Sequence, residues 1–246
     1  MQLPMTATLG SPRYQFLDFT RGIAIGLMFI FHFCFGLSQL GYLNVEFSSN
    51  LFWVLFRFVI VFMFLSLVGI GLFLATRNKL NLKAYFKRLA LLLVYLSLIT
   101  LLSKFVRPNY YVYFGILHLI FVSSLLGLLF VKLQWMNLVL GVGLLIVGYR
   151  VQSDIFDHPL LQWIGMTSIQ FSADDYAPLL PWFGLVLIGI FLGQILFNEQ
   201  KQLVYLYQWK AQHWFSKLLS WAGRYSIHLY FFHFQFFYIV VYFSNF

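Results

Sequence analysis

Residues 16–39 read FLDFTRGIAIGLMFIFHFCFGLSQ, an apolar run long enough to span a membrane that nevertheless carries Asp18, Arg21 and His32. An ionised side chain in lipid costs roughly 2.5 kcal/mol or more, so it faces protein or an aqueous cavity and marks a site. At about 100° per residue, Asp18, Arg21, Ile25, Met28 and His32 share one face of a helix. With a rise of about 1.5 Å per residue, the arginine and the histidine then lie about 16 Å apart along it. One stripe connects two depths of a bilayer.

The rest of the chain is equally apolar. It has 246 residues, 61% hydrophobic and only 9% charged, with a mean hydropathy of +0.83, which excludes a soluble domain. Further apolar runs lie near 51–75, 88–103, 114–132, 135–150, 178–197 and 220–243. Their length suits spanning helices, since barrel strands would be half as long and alternate in polarity. The expected fold is all-α: a polytopic integral membrane bundle of about seven transmembrane helices forming a single domain over 1–246, with the fifth span the shortest. Met1 to Pro12 lacks an apolar core, so no cleavable signal is expected.

Basic residues set the expected orientation, because Lys and Arg concentrate in short cytoplasmic loops. With the N-terminus inside, Arg13, the run Arg77, Lys79, Lys83, Lys87 and Arg88, then Lys132, and finally Lys201, Lys210, Lys217 and Arg224 are cytoplasmic. Only Lys104, Arg107 and Arg150 fall outside, which gives an N-in, C-out topology. This asymmetry accounts for the net charge of +9 without nucleic-acid binding. The loop 151–177, with Asp154, Asp157, Asp174 and Asp175, becomes extracytoplasmic. Residues 198–219, with Trp209, Trp214 and three lysines, become an interfacial helix on the cytoplasmic face. His32, Arg57 and His118 converge toward the outer face; Asp18, Arg21, Arg88 and Arg224 lie toward the cytoplasm. Such a layout suits a reaction between something from each side.

Other features read as architecture. Gly22 with Gly26, Gly69 with Gly71 and Gly189 with Gly193 make small faces for close helix approach, and the 31 phenylalanines read as lipid-facing bulk. Cys34, the single cysteine, excludes an intramolecular disulfide and reads as packing; the six histidines lack the spacing of a helical zinc site, so no metal is expected. Asp18 and Arg21, at i and i+3, either neutralise each other or bind phosphate. Arg57 either snorkels to headgroups or serves the site, and His118 either bonds a neighbouring helix or serves it. His228 and His233 read as structural.

The segment from Asp18 to Ile25, followed by Met28 and His32, resembles the opening helix of a prokaryotic membrane-protein group related to heparan-alpha-glucosaminide N-acetyltransferase. More broadly it is similar to the transmembrane acyltransferase superfamily, whose acyltransferase-3 branch also shows a basic residue, ten intervening residues and a histidine. Arg57 with Phe64-Leu65 and Gly69, Arg88, Phe114 to Ile120, Asp175 to Trp182, and Gly223 to Ser226 with Tyr230 and His233 extend the resemblance in order. One departure is that Phe234-Gln235 follows His233 where the family commonly has Gln-Pro.

The resemblance implies a multi-pass acyltransferase of a prokaryotic cytoplasmic membrane. It would move an acetyl group from cytoplasmic acetyl-CoA to an amine or hydroxyl acceptor, a sugar or glycan, at the outer face. His32 would act as general base or carry the acetyl group. Asp175 or Asp174 would orient a histidine or grip the acceptor, and Arg57 or His118 would stabilise the thioester oxyanion. Arg21, with Asp18, Arg88 and Arg224, would form the CoA-phosphate set. Acyl-CoA, glycan and membrane lipid are the expected partners, and a homodimer is compatible. A secondary transporter is the first alternative, although no repeated halves are visible; a non-catalytic glycan- or lipid-binding subunit is the second.

Overall fold

The computed structural model describes residues 14–77, 79–106, 108–169, 175–197, 206 and 208–244. Arg13, Arg107, Asp174 and Lys201, with most of the stretch 198–207, lie outside the described residues. The helices are α1 (Gln15–Gln39), α2 (Leu51–Thr76), α3 (Leu82–Val106), α4 (Ile116–Phe130), α5 (Met136–Arg150), α6 (Leu179–Leu196), α7 (Trp214–Arg224) and α8 (Ser226–Ser244). Two 3-10 turns, Asp154–Asp157 and Gln162–Ile164, punctuate the loop before α6, and the described residues contain no strand. Helices α1, α2, α3 and α6 are long and apolar enough to cross a membrane; α4 and α5 are apolar but only 15 residues each. The chain is a membrane helix bundle.

Helix starts follow local chemistry. Asn50 opens α2 by accepting the Phe52 N–H at 3.0 Å, and Asn81 opens α3 by accepting the Ala84 N–H at 3.1 Å. That second cap corrects the expected third span, which begins at Leu82 rather than 88 and so carries Lys83, Lys87 and Arg88 inside the helix. The expected seventh span is also corrected. It breaks at Tyr225 (φ −105, ψ 21), whose N–H closes back on Trp221 and Ala222, so α7 and α8 are separate helices. Of the amphipathic helix expected over 198–219, most of the first part lies outside the described residues, 209–213 are not helical, and the last part belongs to α7; Trp209 lies before α7 and packs on Phe19 at 4.9 Å.

Glycines set the closest approaches. A Cβ at Gly69 of α2 would lie 2.6 Å from the Ile190 nitrogen of α6, and one at Gly189 would lie 2.7 Å from the Ser66 Cα. Here the two backbones touch, as small residues allow in lipid. Gly22 and Gly223 do the same for α1 and α7, since a Cβ at Gly223 would lie 2.7 Å from the Gly22 nitrogen. The reading of Gly26 and Gly71 as packing faces is corrected: a Cβ at Gly26 meets open space, and one at Gly71 meets only Arg21 Nη2 at 3.6 Å.

The phenylalanines are not all lipid-facing. Phe31, Phe47, Phe114, Phe183, Phe197, Phe231 and Phe234 are buried, while Phe33, Phe52, Phe105 and Phe232 are exposed. Phe31, Phe35, Phe47, Trp53 and Phe56 form one ring cluster tying the far end of α1 to the start of α2. Helix α8 lies against α1 and α3: Phe231 stacks on Tyr95 at 4.5 Å, and His233 stacks on Phe29 at 5.1 Å. The bundle thus closes around a central space.

Candidate active site

That space is a cavity of about 630 Å³, within the range of small-molecule sites. Arg21 and His32 of α1, Arg57 of α2, Arg88 of α3, Asp175 and Tyr176 of the loop before α6, and Tyr230 of α8 all line it. Between these polar groups the wall is apolar and aromatic, with Met28, Phe31, Phe64, Leu92, Trp182 and Phe234. Four of the expected site residues, on three helices, therefore meet with Asp175 in one enclosure.

At the end where α1 begins, Arg21 Nη1 meets Asp18 Oδ1 at 3.3 Å. The carboxylate is almost fully buried (7% exposed) while the guanidinium keeps 28%, so the pair neutralises Asp18 without removing Arg21 from the cavity. Asp18 itself is not part of the wall. Arg88 and Arg57 line the cavity and make no hydrogen bond or ion pair among the described residues.

His32 sits on the same wall. Its Nδ1–H donates to the Met28 carbonyl at 3.0 Å, which in the neutral ring leaves the lone pair on Nε2. Phe31 packs against the ring at 5.5 Å and His233 at 4.9 Å, both edge to face.

Asp175 adopts φ 56, in the left-handed region, and its Oδ2 accepts two bonds: Tyr230 OH at 2.5 Å and the Ile116 N–H at 3.2 Å. The second is the first-turn amide of α4, where a carboxylate complements the helix dipole. One side chain thereby joins the loop, α4 and α8. Neighbouring Tyr176 donates its hydroxyl to the Gln162 carbonyl at 2.6 Å, and burial, reinforced by Tyr113, pushes its phenol up to about 12. It stays protonated at any working pH.

The remaining expected residues stand apart. His118 is outside the cavity wall: its Nδ1 accepts the Gly115 N–H at 3.2 Å and its Nε2 faces Thr100 Oγ1 at 3.2 Å, while Thr100 donates onward to the Val112 carbonyl. One ring nitrogen serves the start of α4 and the other ties it to α3. Arg224 is exposed at the end of α7, also away from the wall. His228 bonds Tyr95 OH at 2.6 Å, as a structural histidine would, and Cys34 is a half-buried free thiol. No group of three potential metal ligands occurs among the described residues.

In the loop, Asp157 accepts bonds from the Ser168 hydroxyl, from Thr167 Oγ1 at 2.5 Å and from the Ser168 N–H at 2.9 Å, and the hydroxyl bonds hold its carboxyl below the ordinary value. Because this pKa is depressed on folding, the stabilisation is complete above the ordinary carboxylate pKa and is lost as pH falls through the folded one. Trp163 fluorescence is expected to report loosening of this loop in strong acid, and Asp157→Asn is expected to show the acid signal already at neutral pH.

Residues 13–235 match the family model described as heparan-alpha-glucosaminide N-acetyltransferase, catalytic. The chain belongs to this family. No curated protein and no solved structure matches it. Membership of the heparan-alpha-glucosaminide N-acetyltransferase family, together with the apolar bundle, makes it a multi-pass membrane acetyltransferase. The family match ends just beyond His233, which stands against His32 and which the sequence reading had set aside as structural. Its partner, Tyr230, was part of a motif but had no assigned role.

Proposed function

We propose that the chain transfers an acetyl group from cytoplasmic acetyl-CoA to an amine or hydroxyl of a sugar or glycan acceptor at the outer face of a prokaryotic cytoplasmic membrane. The observation that carries this is one cavity holding Arg21, Arg88, His32, Arg57 and Asp175 together. The positive-inside distribution supports a cytoplasmic Arg21 end, and the family match supports acetyl-CoA as the donor.

In this reading Arg21 and Arg88 grip the phosphates of CoA by charge-assisted bonds, and the pantetheine arm runs along the apolar wall toward His32. The spacing of about 16 Å along α1 suits an extended arm of that length. His32 Nε2 takes the proton from the attacking amine or hydroxyl, or accepts the acetyl group itself before passing it on. Asp175 and Tyr230 face the acceptor. Arg57, further along α2 from the CoA end, meets the thioester oxyanion or an anionic part of the acceptor. Arg224, Asp18 and His118 have supporting positions outside the cavity.

The test is release of CoA from acetyl-CoA by the purified protein, with glucosamine as the probe acceptor. Arg88→Ala is expected to raise the KM for acetyl-CoA by about 10-fold or more, the worth of a bond to a charged group, with a smaller change in kcat. Movement of an acceptor across vesicles without CoA release would instead favour a transporter.

A further inference from the structure

His233 is a buried titratable group, 8% exposed, that the chemistry above does not use. It lies on α8, at the opposite end of the chain from His32, yet the two rings meet with centroids 4.9 Å apart at an interplanar angle of 71°. The two share a bonding pattern. His233 Nδ1 donates to the Tyr230 carbonyl at 2.6 Å, as His32 Nδ1 donates to the Met28 carbonyl, so in each neutral ring the lone pair is on Nε2. Each imidazole is tethered to its own helix and turned to the other.

The surroundings fix the geometry of the pair. Phe29 stacks on His233 at 26° and 5.1 Å, and Tyr230 packs against it at 5.3 Å. The titratable groups around it are His32 from α1, Tyr230 on α8 itself and, through Tyr230, Asp175 from the loop. From α3, Tyr95 is engaged by His228. Two imidazolium ions at this separation in a low-dielectric interior repel strongly, so the pair accommodates one added proton.

We propose that His233 is a positioning residue for the transfer reaction, which holds the His32 ring so that the pair takes up one proton, carried by His32. The inference rests on the acetyltransferase reading given above. In the step it serves, the acceptor nitrogen or oxygen bonds to the thioester carbonyl carbon, the C–S bond breaks, and the acceptor proton moves to His32 Nε2. CoA leaves as a thiolate and receives that proton from the His32 imidazolium to become the thiol, which returns the pair to its neutral state. His233 touches no substrate in this scheme. Its neutral ring lies against the imidazolium that forms, fixing its direction.

The experiment measures kcat, KM for acetyl-CoA and the pH profile of the full chain in detergent, with glucosamine as acceptor, for wild type, His32→Ala, His233→Phe and His233→Gln. Phenylalanine keeps the aromatic packing on Phe29; glutamine keeps a donor for the Tyr230 carbonyl. Both variants are expected to lose about 10- to 100-fold in kcat with KM unchanged, the acid limb of the profile is expected to move, and the loss is expected to vanish in a His32→Ala background. If His233→Phe retains kcat within about threefold and the profile is unmoved, the ring is packing only and the proposal is overturned; should that variant fail to fold, His233→Gln decides in the same way. Turnover that does not depend on His32 in the wild type would overturn the acetyltransferase assignment of that residue and this inference with it. His32-dependent turnover indifferent to His233 would sink this inference alone.

Discussion

Replacing His32 with alanine is expected to lower acetyl transfer by about 1000-fold or more while leaving CoA binding intact. A positioned general base is worth about 10²- to 10⁴-fold, and loss of an acetyl-carrying nucleophile removes its pathway altogether. Binding survives because the proposed phosphate contacts come from Arg21 and Arg88, which lie at the other end of the same wall. The fold survives too, because His32 is only half buried and its bond to Met28 is local to α1. CoA release measured beside a CoA-dependent thermal shift checks both halves of this expectation. Trapping protein with acetyl-CoA in a single turnover then separates the two roles: an acetyl group on His32 supports two steps, and none supports a base. Full turnover in His32→Ala would remove the residue from the chemistry.

The second large effect is structural. Gly69→Leu is expected to prevent assembly of the bundle, because the new Cβ would lie 2.6 Å from the Ile190 nitrogen and 2.7 Å from the Gly189 carbonyl carbon. These are backbone atoms of α6, so no side chain can move aside, and the helices must separate along their whole contact. Overpacking in a core ordinarily costs about 1–3 kcal/mol, and a clash of backbone with Cβ lies at or beyond the upper end. Gly26→Leu and Gly143→Leu, where the Cβ meets open space, are the matched controls. Monodisperse yield in detergent and Tm should collapse for the first variant and hold for the other two. Equal behaviour of all three would mean that α2 and α6 do not depend on that approach.

Much of the site was readable because charge in an apolar run is conspicuous. Asp18, Arg21 and His32 announced themselves against α1, and their single-stripe geometry follows from helical periodicity alone; Arg21 and His32 do share the cavity. Arg57 was legible for the same reason, and Arg88 through the family resemblance. His118 was equally conspicuous, yet its nitrogens close the start of α4 and tie it to α3, and nothing in the local sequence distinguishes a capping histidine from one facing a cavity. The break at Tyr225 was hidden because no proline or positive-φ glycine marks it; apolar periodicity runs straight through. His233 was hidden by distance along the chain. Only the packing of α8 against α1 brings it to His32, and spacing within one helix carries no information about a ring on another. The third span was mistaken at its start because its basic residues were read as loop when the Asn81 cap had already begun the helix.

The clasp of α1 by α7 and α8 has a bearing on how the chain is made. Asp18 and Gly22 are covered by Gly223 and Leu219, and His32 is flanked by His233, so α1 is completed by α7 and α8, which follow it by some two hundred residues. Until residues beyond 214 have packed, the polar stripe of α1 adjoins α2 but lacks the cover of α7 and α8. A chain truncated before α7 retains the four long spans but exposes an acid, an arginine and a histidine to lipid. The residues that equip the cavity are thus also the part of α1 that depends most on α7 and α8.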